Sequence, residues 1–291
     1  MLKKGKQLLI AFWELVLYGN FWIALGASAT TLVTLFLAKN KWEVDASVCF
    51  LFFSTLLVYS LHRIVGLNKA KKVKMTDRYH TILSYKNHIL GYAIIGLLGS
   101  TYYFFQLNQN SKLLIVVLGL ISLTYVLPVF RGKRLRDFDF IKVFLVAIVW
   151  SAICIFLPLI NNEIIIDRSF VIFFIEYAIY VFAITLPFDI RDKNLDTYVG
   201  VKTLVLYLGS EGSKRISQLL LIVAAMLAVY LHLYCFDIQV YGWTRICLYI
   251  ILIVYIHFLN DEMNDYYYSG VLDGSLIIGP VSLILMNNFI G

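Results

Sequence analysis

Apolar residues in this chain gather in long runs, and charged residues fall in the short gaps between them. Runs long enough to span a bilayer, roughly 17–25 residues with some shorter, lie near 20–38, 47–66, 89–106, 113–130, 141–160, 170–188, 216–236, 244–259 and 271–289. Lipid tolerates only helices or a closed barrel, because every backbone polar group must be satisfied within the chain. None of these runs alternates apolar and polar with the two-residue period of a barrel. The pattern therefore predicts an all-α polytopic membrane protein with nine transmembrane helices. No internal repeat, low-complexity tract or soluble appendage interrupts it, so residues 1–291 are expected to form a single domain. Tyr198 to Gly209 is apolar on balance but too short to span. It is expected to lie at the membrane surface before the next helix.

Composition agrees. Hydrophobic residues make up 60% and charged residues 15%, with mean hydropathy +0.80. A soluble domain is about a quarter charged. Of the 25 Lys and Arg, 20 fall at the N-terminus or around the gaps after helices two, four, six and eight. Basic residues collect on the cytoplasmic side of membrane proteins, so the N-terminus and these loops are expected in the cytoplasm, at the cell membrane. The net charge of +7 follows from the same bias. It does not argue for nucleic acid, since the basic loops carry no recognisable binding fold. Lys3, Lys4 and Lys6 precede an apolar stretch interrupted by Trp13 and Glu14. That start reads as an interfacial segment rather than a cleavable signal. Cys49, Cys154, Cys235 and Cys247 lack metal or redox spacing and read as small buried residues.

The chemistry concentrates in Phe188-Asp189-Ile190-Arg191-Asp192-Lys193-Asn194-Leu195-Asp196, directly after the sixth run. At helical spacing Asp189, Asp192 and Asp196 share one face. Three like charges on one face persist when a cation holds them. An all-oxygen set of this kind suits Mg²⁺, which takes a few carboxylates and completes its shell with water and phosphate oxygens. The alternative is a solvated charged segment closing a transmembrane helix.

The pattern D-x-x-D-x-x-x-D-x-x-x-G-x-K-T-L, with Gly200, Lys202, Thr203, Leu204 and the later Leu208-Gly209, resembles the second aspartate-rich motif of the UbiA family of membrane prenyltransferases. The resemblance implies a UbiA-like helical bundle over nearly the whole chain. It also implies Mg²⁺-dependent transfer of a prenyl group from an isoprenoid diphosphate to a hydrophobic acceptor. Asp189, Asp192 and Asp196 would then be the metal ligands and catalytic centre, with Arg63, Arg131, Arg134 and Lys202 as the diphosphate-binding set. The family's first acidic motif, N-x-x-x-D-x-x-x-D at the end of helix two, is absent. Tyr59, Arg63 and Leu67 stand at its positions. Arg63 could replace a metal electrostatically, hold diphosphate in its planar fork, or close the site as a permanent salt bridge. Tyr125-Val126-Leu127-Pro128, followed by basic residues from Arg131 to Arg136, resembles the family's Tyr–Pro–basic stretch. Asp273, at the start of helix nine, needs a partner if buried; Arg63 or Arg191 is expected to supply it. The acidic segment from Asn260 to Asp265 could supplement the missing first motif, but is expected to be a solvated loop. Membrane lipid is the surrounding partner. Two other classes remain: a non-catalytic membrane protein on the same scaffold that binds an isoprenoid or lipid, and a small-solute transporter. Against the transporter, no matched pair of Gly/Pro-broken helices is present.

Overall fold

The computed structural model describes residues 16–17, 19–70, 82–129, 132–236 and 238–290. The N-terminal lysines, the basic stretch from Lys71 to Arg78, and Arg131 lie outside the described residues. Among those described, nine helices are long and apolar enough to cross a membrane. They are α1 (Phe21–Lys39), α2 (Ala46–Ala70), α3 (Lys86–Gln106), α4 (Gln109–Val126), α5 (Ile141–Asn161), α6 (Arg168–Val199), α7 (Leu204–Tyr234), α8 (Gln239–Phe258) and α9 (Asp273–Ile290). Short 3₁₀ and π segments, Leu135–Asp137 and Tyr266–Leu272, precede α5 and α9. The chain is an all-α polytopic membrane protein, as its apolar pattern predicts.

Most neighbours in sequence are neighbours in space, and α9 returns to pack on α1, so the helices close into a ring. The main core lies where α1, α5, α6, α7 and α8 converge, around Ile155, Phe173, Val181, Leu252 and Ile256. Helices α2 and α3 pack closely because Gly96 faces the α2 backbone. A Cβ there would stand 2.8 Å from Leu57 N and Phe53 O.

The boundaries differ from the expected ones where capping chemistry outweighs hydropathy. Helix α4 begins four residues earlier than 113, because Asn108 accepts the Ser111 N–H at 2.8 Å as an N-cap. It ends before Pro128, which lacks a backbone donor. The short stretch after Thr203 is helical and set off from the longer part of α7 by a break. Thr203 caps α7, and Leu204–Leu208 is its first turn, joined through a break at Gly209 with φ 74° and ψ 168°.

At the end of the bundle away from the aspartates, Asp45 accepts from Asn161 and Asn162, and Lys39 Nζ donates to Asn162 at 2.7 Å. Deeper in the bundle, Glu176 on α6 and Arg245 on α8 form an ion pair at 2.6 Å. Tyr249 Oη bonds both partners.

Candidate active site

Helix α6 continues through the aspartate motif instead of ending before it. It has 32 residues, about 48 Å at 1.5 Å per residue, against a hydrocarbon core of about 30 Å. Asp189 lies about 32 Å along from Arg168 by the same rise, so the motif sits at the edge of the apolar layer. Gly200, at φ 75°, ends the helix; its N–H bonds Thr197 O, and the Val201 N–H bonds Asp196 O at 3.0 Å. Only glycine takes this left-handed conformation without a steric cost.

The next contact sets the site. Phe140 N bonds Lys202 O at 2.9 Å, and Lys202 N bonds Asp139 Oδ1 at 3.1 Å. These two bonds fasten the start of α5 to the end of α6. They bring Lys142, in the first turn of α5, under the acidic face of α6. Its Nζ lies 2.6 Å from Asp189 Oδ1, 3.2 Å from Asp196 Oδ2 and 3.9 Å from Asp192 Oδ2. Asp189 and Lys142 are buried, and Asp189 Oδ2 has no hydrogen-bond partner. The three aspartates do converge on a cation, and that cation is a lysine of the chain.

A second cation stands close by. Arg136, in the 3₁₀ turn, is within electrostatic reach of all three aspartates. Burial weakens its charge, but Tyr125 and the aspartates more than offset this and hold its pKa above the ordinary guanidinium value. Its guanidinium lies 5.4 Å over the Tyr125 ring and contacts His62 Nε2. Asp196 is also shifted upward, which for a carboxyl disfavours the charged form. Burial raises its pKa, Lys142 opposes the rise, and the negative charges of Asp192 and Asp189 add to it.

Arg191 points to the other flank. It donates to Asp192 at 2.9 Å, pairs with Asp265, and lies 4.8 Å over the Phe188 ring. Asp273 is within its electrostatic reach. Asp265, expected in a solvated loop, is buried against Arg191.

The described members of the expected diphosphate-binding set each engage partners of their own. Arg63 donates through Nε to Asn20 Oδ1 at 2.5 Å and through Nη2 to Leu17 O at 3.0 Å, tying α2 to the segment before α1. Arg134 is engaged by Asp137 at 2.8 Å within its own turn. Lys202 is exposed and lies 3.9 Å from Asp139. Arg131 is outside the described residues. Lys142 and Arg136 were not among the residues singled out. One signal pointed to Lys142: a cation in the first turn of an apolar helix works against the helix dipole and needs acidic partners.

Beside this cluster an apolar cavity of about 350 Å³ opens between α2, α4 and α5. Tyr59, His62, Tyr125 and Trp150 are among its lining residues. Tyr59 meets Trp150 edge to face at 6.1 Å. The His62–Arg136 contact joins the cavity to the charged cluster.

The residues present do not fit Mg²⁺ as they are arranged. Among the described residues no group of three or more His, Cys, Asp or Glu is set to hold a metal ion. The point between the triad's oxygens is taken by Lys142 Nζ.

No protein-family profile and no curated protein sequence matches the chain. Solved structures do. A UbiA homologue from Archaeoglobus fulgidus, described as bound to GPP and Mg²⁺, is 13% identical over 94% of this chain and 99% of its own, with TM-score 0.66. A UbiA homologue from Aeropyrum pernix K1 is 14% identical over 91% of this chain and 98% of its own, with TM-score 0.69. A structure of digeranylgeranylglyceryl phosphate synthase is 16% identical over 94% of this chain and 97% of its own, with TM-score 0.58. At such identities the likeness speaks for architecture alone, and that architecture is plain: this chain has a UbiA-like fold.

Proposed function

We propose that the chain, acting as one unit over residues 1–291, binds an isoprenoid diphosphate at the charged end of the bundle. It transfers the prenyl group to a hydrophobic acceptor held in the membrane. The observation that carries this reading is the junction at Arg136. An apolar cavity sized for a hydrocarbon chain meets, through His62 and Tyr125, a guanidinium suited to an anionic head. The biased distribution of Lys and Arg supports a cytoplasmic location for that end. Archaeal neighbours described as bound to GPP or DMAPP support the substrate class.

In this reading the prenyl tail fills the cavity and its diphosphate lies against Arg136. The allylic C–O bond breaks, and the diphosphate leaves with the electron pair. Arg136 stabilises the charge that grows on the leaving oxygens. The faces of Tyr59, Tyr125 and Trp150 stabilise the allylic cation, and the apolar walls keep water from capturing it. The acceptor forms the new bond and gives up a proton. The Mg²⁺ expected from the neighbours is the part this site supports least, because Lys142 stands among the carboxylates that would ligate it.

A second reading, binding without transfer, is favoured by Lys142 and by the non-acidic Tyr59, Arg63 and Leu67 at the first-motif positions. Purified protein is incubated with geranyl, farnesyl and geranylgeranyl diphosphate, and both bound ligand and released diphosphate are measured. Release dependent on Arg136 supports transfer. Stoichiometric binding without release supports the second reading. Neither binding nor release refutes both.

A further inference from the structure

We infer that the Lys142 ammonium is a built-in cation filling the place of a divalent metal in the aspartate triad, so that the resting site excludes such metals. The inference deepens the diphosphate reading and rests on it for the purpose of the cluster; metal exclusion itself is measurable without substrate.

Geometry is the first support. An ammonium donates to carboxylate oxygens at about 2.7–2.9 Å, whereas Mg²⁺ holds its ligands in a regular octahedron at about 2.0–2.1 Å. The triad's oxygens lie 2.6, 3.2 and 3.9 Å from Lys142 Nζ, a spread that suits a lysine head with three donors. Anchoring is the second. The Phe140–Lys202 backbone bond and the bond from Lys202 N–H to the Asp139 carboxylate hold the start of α5 in place, and Lys142 is buried where it stands. Charge is the third. Arg191 already pairs with Asp192, and Arg136 is within reach of all three carboxylates. An incoming dication would meet two further cations and must displace a third. Finally, the positions that would carry a first acidic motif hold Tyr59, Arg63 and Leu67, so no second set of carboxylates faces the triad from α2.

Mn²⁺ binding to the purified full chain without substrate, followed by electron paramagnetic resonance of the free ion, tests this directly. Wild type is expected to show no Mn²⁺ uptake that depends on Asp192. Lys142→Met is expected to bind one Mn²⁺ at least tenfold more tightly than wild type, and Lys142→Met/Asp192→Asn to lose it again. One Mn²⁺ bound by wild type and weakened by Asp192→Asn overturns the inference, as does a folded Lys142→Met that gains none. The wild-type measurement stands even if substitution at 142 prevents folding. Diphosphate release from an EDTA-treated sample reads the transfer proposal separately. Mn²⁺ exclusion with no release removes transfer and leaves the role of Lys142 standing. Mn²⁺ uptake by wild type removes that role whatever the release.

Discussion

Replacing Arg245 with methionine removes the cationic half of the most deeply buried ion pair among the described membrane-spanning residues. Glu176 is 0% exposed and Arg245 3%. Arg245 Nη2 lies 2.6 Å from each oxygen of Glu176. The guanidinium also lies 5.5 Å from the Phe173 ring centre, 5.7 Å from Tyr241 and 5.5 Å from Tyr249. Methionine keeps most of the aliphatic stem, so the lost term is charge rather than volume. It leaves the Glu176 carboxylate with Tyr249 alone. Removing one partner of a buried pair costs about 3–5 kcal/mol, whereas removing both charges is often neutral. At about 2 °C per kcal/mol for a chain of this length, the midpoint should fall by about 6–10 °C. The double variant Glu176→Gln/Arg245→Met should regain most of that loss. Thermal unfolding in detergent is followed with a thiol-reactive dye in a background with Cys49, Cys235 and Cys247 replaced by serine, because Cys247 is exposed and the other two half-buried, whereas Cys154 is free and buried until the bundle opens. A single variant within about 2 °C of wild type, or a double variant no better than the single, would show that this pair does not hold α6 to α8.

Arg136→Leu should weaken isoprenoid diphosphate binding by roughly 10- to 100-fold, the worth of a charged hydrogen bond of about 1.5–3 kcal/mol; equilibrium binding of labelled geranyl diphosphate checks it. Gly119→Phe should fold normally, since a Cβ there meets nothing within 4 Å, yet occupy part of the cavity it lines; affinity should fall more for geranylgeranyl than for geranyl diphosphate. Gly96→Val should destabilise by about 1–3 kcal/mol, because its Cβ would meet α2 backbone at 2.8 Å, and the same dye assay reports it. Asp196 carries a raised folded pKa, so its contribution to stability is present below the ordinary aspartate value of about 3.9 and is lost as pH climbs through the raised value. Unfolding midpoints of wild type should decline over that window while those of Asp196→Asn stay flatter, and parallel slopes would refute the assignment.

Much of this molecule was legible along the chain. The apolar runs mark nine spans because backbone satisfaction in lipid forces each into a helix, and the spacing of Asp189, Asp192 and Asp196 puts them on one face because helical periodicity is local. The start of α4 was misplaced because a cap such as Asn108 acts through one side-chain bond that hydropathy does not register. What the carboxylates face is a different kind of fact. Lys142 and Asp196 are 54 residues apart in sequence, and they meet because a two-bond clamp at Phe140, Asp139 and Lys202 brings the start of one helix to the end of another. Arg63 had an equal claim on paper, yet Asn20 and Leu17 hold it elsewhere. Charge along a helix is written residue by residue, but the partner of a buried charge is chosen by which helices cross, and that only the folded bundle decides.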